Sequence, residues 1–365
     1  MKLVVLGLSL SSSWGNGHAT TYRALLEAFA SRGHDILFLE RDVPWYRNQR
    51  DLEDPSYCRL NFYADLNELE AWKGEIASAD AVIVGSYVPD GVEVGRFVQK
   101  VATGTTAFYD IDTPVTLAKL ERGDFEYLSP EVIPGYDLYL SFTGGPTLRR
   151  IEEQYGSPAA RALYCSVDTD KYHPTEVPQR WDLSYLGTYS DDRQPTVEKL
   201  LNAVARKLPE RRFCVAGPQY SDGIDWPYNV ERIDHVPPVE HAAFYAASRF
   251  TLNVTRADMI AAGWSPSVRL FEAAACGTPI ISDVWEGLDQ LLEPGSEILL
   301  ARSAEDVIAA LEGLSPEQVQ AIGEAGRTRV LAEHTARHRA EQLEHHLVEA
   351  ASARHSAEPE GKLYA

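Results

Sequence analysis

The stretch "GWSPSVRLFEAAACGTPIISDVWEGLDQLL", residues 263–292, carries one glutamate, Glu272, on a segment otherwise dominated by alanines and large apolar residues. It reads as a helix capped by Ser265, with Pro266 at its first position, running into a Gly-Thr-Pro break. The free amides at such a helix start attract a diphosphate. Arg269 and Glu272 are three residues apart and share a face of the helix. Taken alone, that spacing favours an ordinary surface ion pair. The competing reading is a carboxylate that accepts hydrogen bonds from two ligand hydroxyls.

Upstream, the chain predicts a repeated strand and helix pattern. "KLVVLGLS" reads as a strand, "SSSWGNGH" as a loop, "ATTYRALLEAFASRG" as a helix and "HDILFLE" as the next strand. "ADAVIVGSY", "TTAFYDID" and "YDLYLSFT" are apolar runs suited to parallel strands buried on both faces. The pattern restarts at "WDLSYLGTYSDDRQP", with the helix "TVEKLLNAVARKLPERR" and the strand "FCVAG". The expected class is therefore α/β with two Rossmann-like doubly wound domains, residues 1–165 and 181–335. Pro174 and Pro178 mark a linker at 166–180, and a hinge there would set the two domains facing each other across a cleft. Residues 336–365 are expected to form a C-terminal helix and tail, with "ASARHSAEPEGKLYA" frayed.

With 365 residues, 44% hydrophobic, the chain is long enough for two cores. Its 34 basic against 54 acidic residues give a net charge of -20, which disfavours nucleic acid and gives no general attraction to an anionic membrane. Cys58, Cys165, Cys214 and Cys276 are scattered singly and suggest neither a zinc site nor a disulfide framework. "MKLVVLGLSLSSS" has one positive charge and no cleavage signature, so it reads as a first strand rather than a signal peptide. No apolar run approaches the roughly 20 residues of a membrane span. A cytoplasmic protein is expected, with peripheral membrane contact and the oligomeric state left open.

"SPSVRLFEAAACGTPIISD", "SVDTDKYHP" and "SYLGTYSDDR", in that order, resemble the GT-B glycosyltransferases, most nearly the bacterial CgeB-like (spore maturation protein-like) branch. The resemblance covers nearly the whole chain. It implies a nucleotide diphosphate sugar bound by the second domain, with Glu272 on the ribose hydroxyls. Many retaining members carry a second glutamate eight positions earlier, where this chain has Trp264; backbone amides of "AAGWSPS", around Ser265 and Ser267, are the expected substitute.

Further candidates follow the same frame. The turn at Gly187 and Thr188 brings backbone close to phosphate, with Arg193 to neutralise it. A plain turn with a solvated arginine reads this segment equally well. Arg193, Arg256 and Arg269 are the cations best placed for a diphosphate in so acidic a chain. "IDHVPP" resembles a base-reading segment near His235 and Val236, and Asn253 ends a strand where ligands of open sheets gather. In the first domain Gly15, Gly17 and His18 match in kind a loop that approaches donor phosphates and acceptor. That loop lacks the third glycine of a dinucleotide fingerprint, and His18 is as readily a helix-start residue.

Asp110 and Asp112 form an Asp-x-Asp, which in the other large glycosyltransferase fold would hold a metal. Two sheets argue against that fold, so Asp112 is expected to contact sugar or acceptor hydroxyls, unless it merely caps the turn before Pro114. No metal and no cofactor are expected; the sugar nucleotide enters as co-substrate. The implied reaction passes the sugar to a hydroxyl of a glycan, protein or small molecule with retention, its leaving group stabilised by helix amides and Arg193 or Arg269. Were it inverting, His18 or Asp112 would be the base. A nucleotide-sugar epimerase of the same fold and a catalytically idle sugar-nucleotide-binding or structural protein are the alternatives.

Overall fold

The computed structural model describes residues 1–14 and 17–357. The chain divides into two compact units, Met1–Cys165 joined by the chain from Ala336 onward, and Ser166–Thr335.

The first unit is built on a seven-stranded sheet in the order β3-β2-β1-β4-β5-β6-β7, every pair parallel. Its strands are β1 (Lys2–Gly7), β2 (Asp35–Arg41), β3 (Arg59–Tyr63), β4 (Ala81–Gly85), β5 (Thr105–Asp110), β6 (Leu138–Ser141) and β7 (Ala160–Ala162). The central strands are continuous apolar runs because helices cover both faces; Val4, Leu6, Val82, Val84 and Phe108 are fully buried. The edge strands β3 and β7 were not foreseen. "RLNFY" and "ARA" are short and partly exposed, so neither carries the unbroken apolar run that betrays an inner strand.

The second unit repeats the plan with six parallel strands in the order β10-β9-β8-β11-β12-β13. These are β8 (Trp181–Leu186), β9 (Phe213–Ala216), β10 (Val230–Ile233), β11 (Ser248–Asn253), β12 (Ile280–Ser282) and β13 (Leu299–Leu300). The helix expected after β8 is present as Gln194–Val197, a π-helical turn Glu198–Asn202 and Ala203–Lys207. Gly217, directly after β9, has φ 141, and a Cβ there would overlap the Gly187 carbonyl oxygen. Only glycine lets the β8 and β9 ends approach so closely. The segment 166–180 has no helix and one bridge, Val167 with Thr335, and its Tyr172 is buried.

The last helix, Ala336–Ala357, packs on the first unit: Ala340, Leu343 and Leu347 are buried, and Arg339 donates to the Tyr164 and Cys165 carbonyls at 3.1 and 3.3 Å. The frayed tail expected over 351–365 is corrected for 351–357, which stay helical, with Arg354 bonded to the Gly104 carbonyl; the rest lies outside the described residues. Truncating Leu343 to Ala should cost about 2–5 kcal/mol. Hydrogen exchange should show the loss concentrated in the first unit's sheet; equal loss in the second unit would contradict this packing.

Candidate functional site

In both sheets the chain runs outward in opposite directions from a central pair of strands, β1 and β4 in the first, β8 and β11 in the second. Open parallel sheets bind ligands at such points, in the crevice beyond the carboxyl ends of the strands. Register pairs Leu252 with Tyr185, so Leu186 and Asn253 end their strands side by side.

Arg269 spans these two ends. Its Nε donates to the Leu186 carbonyl at 2.7 Å, its Nη1 to Asn253 Oδ1 at 3.0 Å, and its guanidinium lies 5.0 Å from the centre of the Tyr185 ring. Its Nη2 lies against Gly187, where a Cβ would come within 2.9 Å of it and 2.6 Å of Tyr185 Oη. The side chain is 8% exposed, and among the described residues no carboxylate pairs with it. A buried cation without a counter-ion is costly, and an incoming anion removes the cost.

Asn253 is fully buried and holds this arrangement. Its Oδ1 accepts from Arg269 and from Ser267 Oγ (2.9 Å), and its Nδ2 donates to Ser282 Oγ (2.9 Å) and Thr255 Oγ1 (3.2 Å). Its amide is thus spent within the protein. Thr255 in turn donates its amide and hydroxyl to Asp283 at 2.7 and 2.8 Å. Burial raises the Asp283 carboxyl against those bonds. Nothing in the sequence singled out Asp283, whose polar neighbours are assembled only by the strand order.

The helix carrying Arg269 runs Val268–Ala275, and its N-cap is Ser267 in an extended conformation. The expected cap at Ser265 with Pro266 in the first position is therefore corrected. Trp264 is left-handed at φ 40, its amide donating to the Glu286 carbonyl at 2.6 Å and its indole to Gln290 at 2.9 Å, which holds the segment off the helical path for two more residues. Ser267 gives its hydroxyl to Asn253 and makes no side-chain cap bond, while the Leu270 amide donates to the Ser267 carbonyl at 3.2 Å.

Glu272 is 7% exposed and does not pair with Arg269. Tyr245 Oη donates to its Oε2 at 3.3 Å, and Tyr172 lies beside it. The Tyr172 phenol is also 3.3 Å from His241 Nδ1, while His241 Nε2 faces the Val236 carbonyl at 3.1 Å and must carry the hydrogen there. Burial lowers the His241 pKa against the pull of Glu272. Glu272 is thereby tied through two side chains to Val236, which is buried, with His235 exposed beside it.

After β8, Thr188 is exposed and Arg193 turns back on its own loop, donating to Ser190 Oγ (2.8 Å) and the Thr188 carbonyl (2.7 Å). The following helix starts only at Gln194. Arg256 is the exposed N-cap residue of the Ala257–Ala262 helix, whose first amide donates to Asp192 at 2.9 Å.

In the first unit the serine loop after β1 is shaped by Glu40, a fully buried carboxylate that accepts from the amides of Leu10 and Ser11 at 2.7 and 2.9 Å and the Ser11 hydroxyl at 2.6 Å. Gly15 lies outside the described residues. Gly17 opens the Gly17–Ala30 helix with room around its Cα, and His18 follows. The His18 ring stands edge-on to Tyr87 at 5.3 Å, its Nδ1 is buried without a partner, and burial lowers its pKa to about 4.

Asp112 is the N-cap residue of the Thr113–Glu121 helix, yet its carboxylate does not cap it; Oδ2 accepts from Tyr87 Oη at 3.2 Å. Asp110 is fully buried, with Oδ2 accepting from Tyr139 at 2.5 Å and Oδ1 from Thr116 at 2.7 Å, and burial lifts its pKa to about 6. Asp110 and Asp112 therefore do not present two open carboxylates.

Among the described residues four non-glycines have positive φ: Tyr87, Asp90, Gln219 and Trp264. Tyr87 and Asp90 follow β4, Gln219 follows β9, and Trp264 precedes the Arg269 helix. Each costs roughly 1–3 kcal/mol, and such strain gathers at functional sites.

Residues 193–345 match the family described as "Glycosyl transferase-like". That stretch takes in Arg269, Glu272 and every strand of the second unit after β8. No curated protein matches the chain. Solved structures share its fold. Sucrose-phosphate synthase from Thermosynechococcus elongatus superposes with a TM-score of 0.69 at 16% identity, covering 97% of this chain and 100% of that one. Anabaena HepE in complex with UDP and glucose gives 0.67 at 12% identity, covering 95% and 99%. The catalytic domain of Starch Synthase IV from Arabidopsis thaliana, bound to ADP and acarbose, gives 0.68 at 10% identity, covering 96% and 99%. The fold is GT-B: two parallel-sheet, Rossmann-like units.

Gly187→Ala should displace the Arg269 guanidinium while leaving the backbone intact, whereas Gly217→Ala forces backbone apart. We expect Gly217→Ala to lower the melting temperature more; the reverse order would contradict the packing of the two strand ends. His18 supplies a pH test. Its folded pKa lies below 6.5, so its contribution to stability is present above pH 6.5 and is lost as pH falls to about 4, by roughly 3 kcal/mol. Denaturation of His18→Gln should show a correspondingly shallower loss over that window.

Proposed function

We propose that the protein is a glycosyltransferase of the CgeB-like branch that moves a sugar from a nucleotide diphosphate donor to a hydroxyl acceptor, with retention and without a metal. The observation that carries this reading is the unneutralised Arg269 guanidinium at the β8 and β11 ends, one helical turn from Glu272. A diphosphate on the Arg269 side and a ribose on the Glu272 side fit one nucleotide lying along the helix start. Arg193 and Arg256, on neighbouring loops, add positive charge on the same edge of the sheet. UDP is the first choice of nucleotide, supported by neighbours solved with UDP and UDP-glucose.

In the proposed reaction the bond from the anomeric carbon to the phosphate oxygen breaks as the acceptor oxygen bonds on the same face. The acceptor proton passes to the departing phosphate. Arg269 and the helix start stabilise the charge that develops there. No nucleophile is needed for this route; an inverting reaction would instead call on His18 or Asp112 as the base.

Three measurements test the reading. UDP-glucose or another sugar nucleotide at about a hundred times its dissociation constant should raise stability by roughly 2.7 kcal/mol, and no shift in melting temperature with any nucleotide diphosphate at millimolar concentration would remove the donor site. Glu272→Gln should weaken donor binding by about one to two orders of magnitude with the fold intact, since charge-assisted bonds are worth roughly 1.5–3 kcal/mol. Wild-type binding with turnover abolished would instead make Glu272 catalytic. Chelation with EDTA should leave turnover intact; loss restored by magnesium or manganese would overturn the metal-free mechanism.

A further inference from the structure

Asp192 has no role in the reading so far, yet through it the loop after β8 reaches the loop after β11. The two loops leave adjacent strand ends, and Arg269 joins them at their base through Leu186 and Asn253. Farther out along the first loop, Asp192 Oδ2 accepts from the Ala257 amide of the second at 2.9 Å. On the β12 side, Asp283 accepts from the Thr255 amide and hydroxyl of the same loop. One carboxylate from each neighbouring loop thus fixes the chain after β11.

The Ala257–Ala262 helix, which leads from β11 toward the Arg269 helix, has no buried residue, so no apolar core holds it in place. Its ends do that instead. Behind it, Gly263 and Trp264 adopt φ 64 and 40, and the Trp264 amide donates to the Glu286 carbonyl at 2.6 Å. In front of it is the bond to Asp192.

The loop that carries Asp192 is itself well anchored. The Gly187 amide donates to the Ala216 carbonyl at 2.8 Å, and the Gly187 carbonyl accepts from Tyr220 Oη at 3.1 Å. The Tyr189 amide donates to the Pro218 carbonyl at 3.0 Å, and Arg193 reaches back to the Thr188 carbonyl and the Ser190 hydroxyl. Asp192 therefore ties a segment without packing of its own to a loop that is already fixed.

Its charge works against an anion. Burial pushes the Asp192 carboxyl up, but the Ser190 hydroxyl, the Ala257 amide and the charges of Arg256 and Arg193 together hold it below the ordinary aspartate range. By electrostatics alone, a carboxylate beside those two arginines weakens the hold on a diphosphate. Order offsets that loss, because a loop already in its bound shape binds without the cost of being ordered.

We propose that Asp192 is a positioning residue for the donor: by tying Ala257 to the loop after β8, it keeps the two loops that flank Arg269 in the shape that receives the diphosphate. This rests on the transferase reading above.

The test is the pair Asp192→Asn and Asp192→Ala, at an exposed position where neither change disturbs a core. Both remove the negative charge, and only Asn keeps an oxygen for the Ala257 amide. In the unliganded protein, amide exchange across Ala257–Ala262 should stay within about threefold of wild type in Asp192→Asn and quicken by about tenfold in Asp192→Ala. Equal exchange in all three proteins overturns the tie. By calorimetry, UDP should bind Asp192→Asn at least as well as wild type and Asp192→Ala about tenfold more weakly. Tighter binding by Asp192→Ala, or one dissociation constant for both variants, makes Asp192 a local charge only and overturns the proposal. If neither UDP nor UDP-glucose binds the wild-type protein, the donor reading fails and the proposal with it, whereas the exchange rates still decide whether Asp192 holds the helix start.

Discussion

The pair of bonds from Arg269 to the Leu186 carbonyl and to Asn253 Oδ1 organises the second unit. These bonds join the ends of β8 and β11. They also place a cation among strand termini whose carbonyls alone would repel an anion. Asn253 makes this possible by being wholly committed: one face of its amide holds Arg269 and Ser267, the other is anchored by Thr255 and Ser282. Asp283 secures Thr255 from below. This edge of the second unit's sheet is therefore a stack of hydrogen-bonded, fixed dipoles.

Glu272 shows the complementary strategy. Its carboxylate sits among Tyr245, Tyr172 and His241, none of which is cationic while His241 is neutral. A carboxylate so placed, with the Tyr245 phenol 3.3 Å from its Oε2 and Tyr172 beside it, keeps acceptor capacity that hydroxyl donors can fill. Arg269 and Glu272 share a helix face in sequence, but the guanidinium reaches toward the strand ends and the carboxylate toward the tyrosines. The helix separates the two charges instead of pairing them.

Strands β1, β2, β4, β5, β6, β8, β9 and β11 were legible because parallel strands covered on two faces leave apolar runs, as in "KLVVLG" and "FCVAG", whereas the short β10, β12 and β13 were not. The edge strands β3 and β7 were not, since partial exposure and shortness erase that signal. Gly187 and Asn253 stood out at strand ends, and Arg269 as a cation sharing a helix face with Glu272. The cap was misplaced by two residues because Trp264 adopts a left-handed conformation, which its side chain gives no reason to expect. The partners of Glu272 were invisible for another reason: Tyr245 is 27 residues away in the chain and reaches the carboxylate only through the sheet order.

The return of the Ala336–Ala357 helix to the first unit sets an unusual order for synthesis. Domains generally fold as they leave the ribosome, the N-terminal one first. Here Met1–Cys165 emerges without the helix that buries Leu343 and Leu347 and supplies Arg339 to the Tyr164 and Cys165 carbonyls. Ser166–Thr335 is complete before that helix has been translated. The second unit therefore can reach its native state while the first still waits, with an uncovered apolar strip, for the Ala336–Ala357 helix.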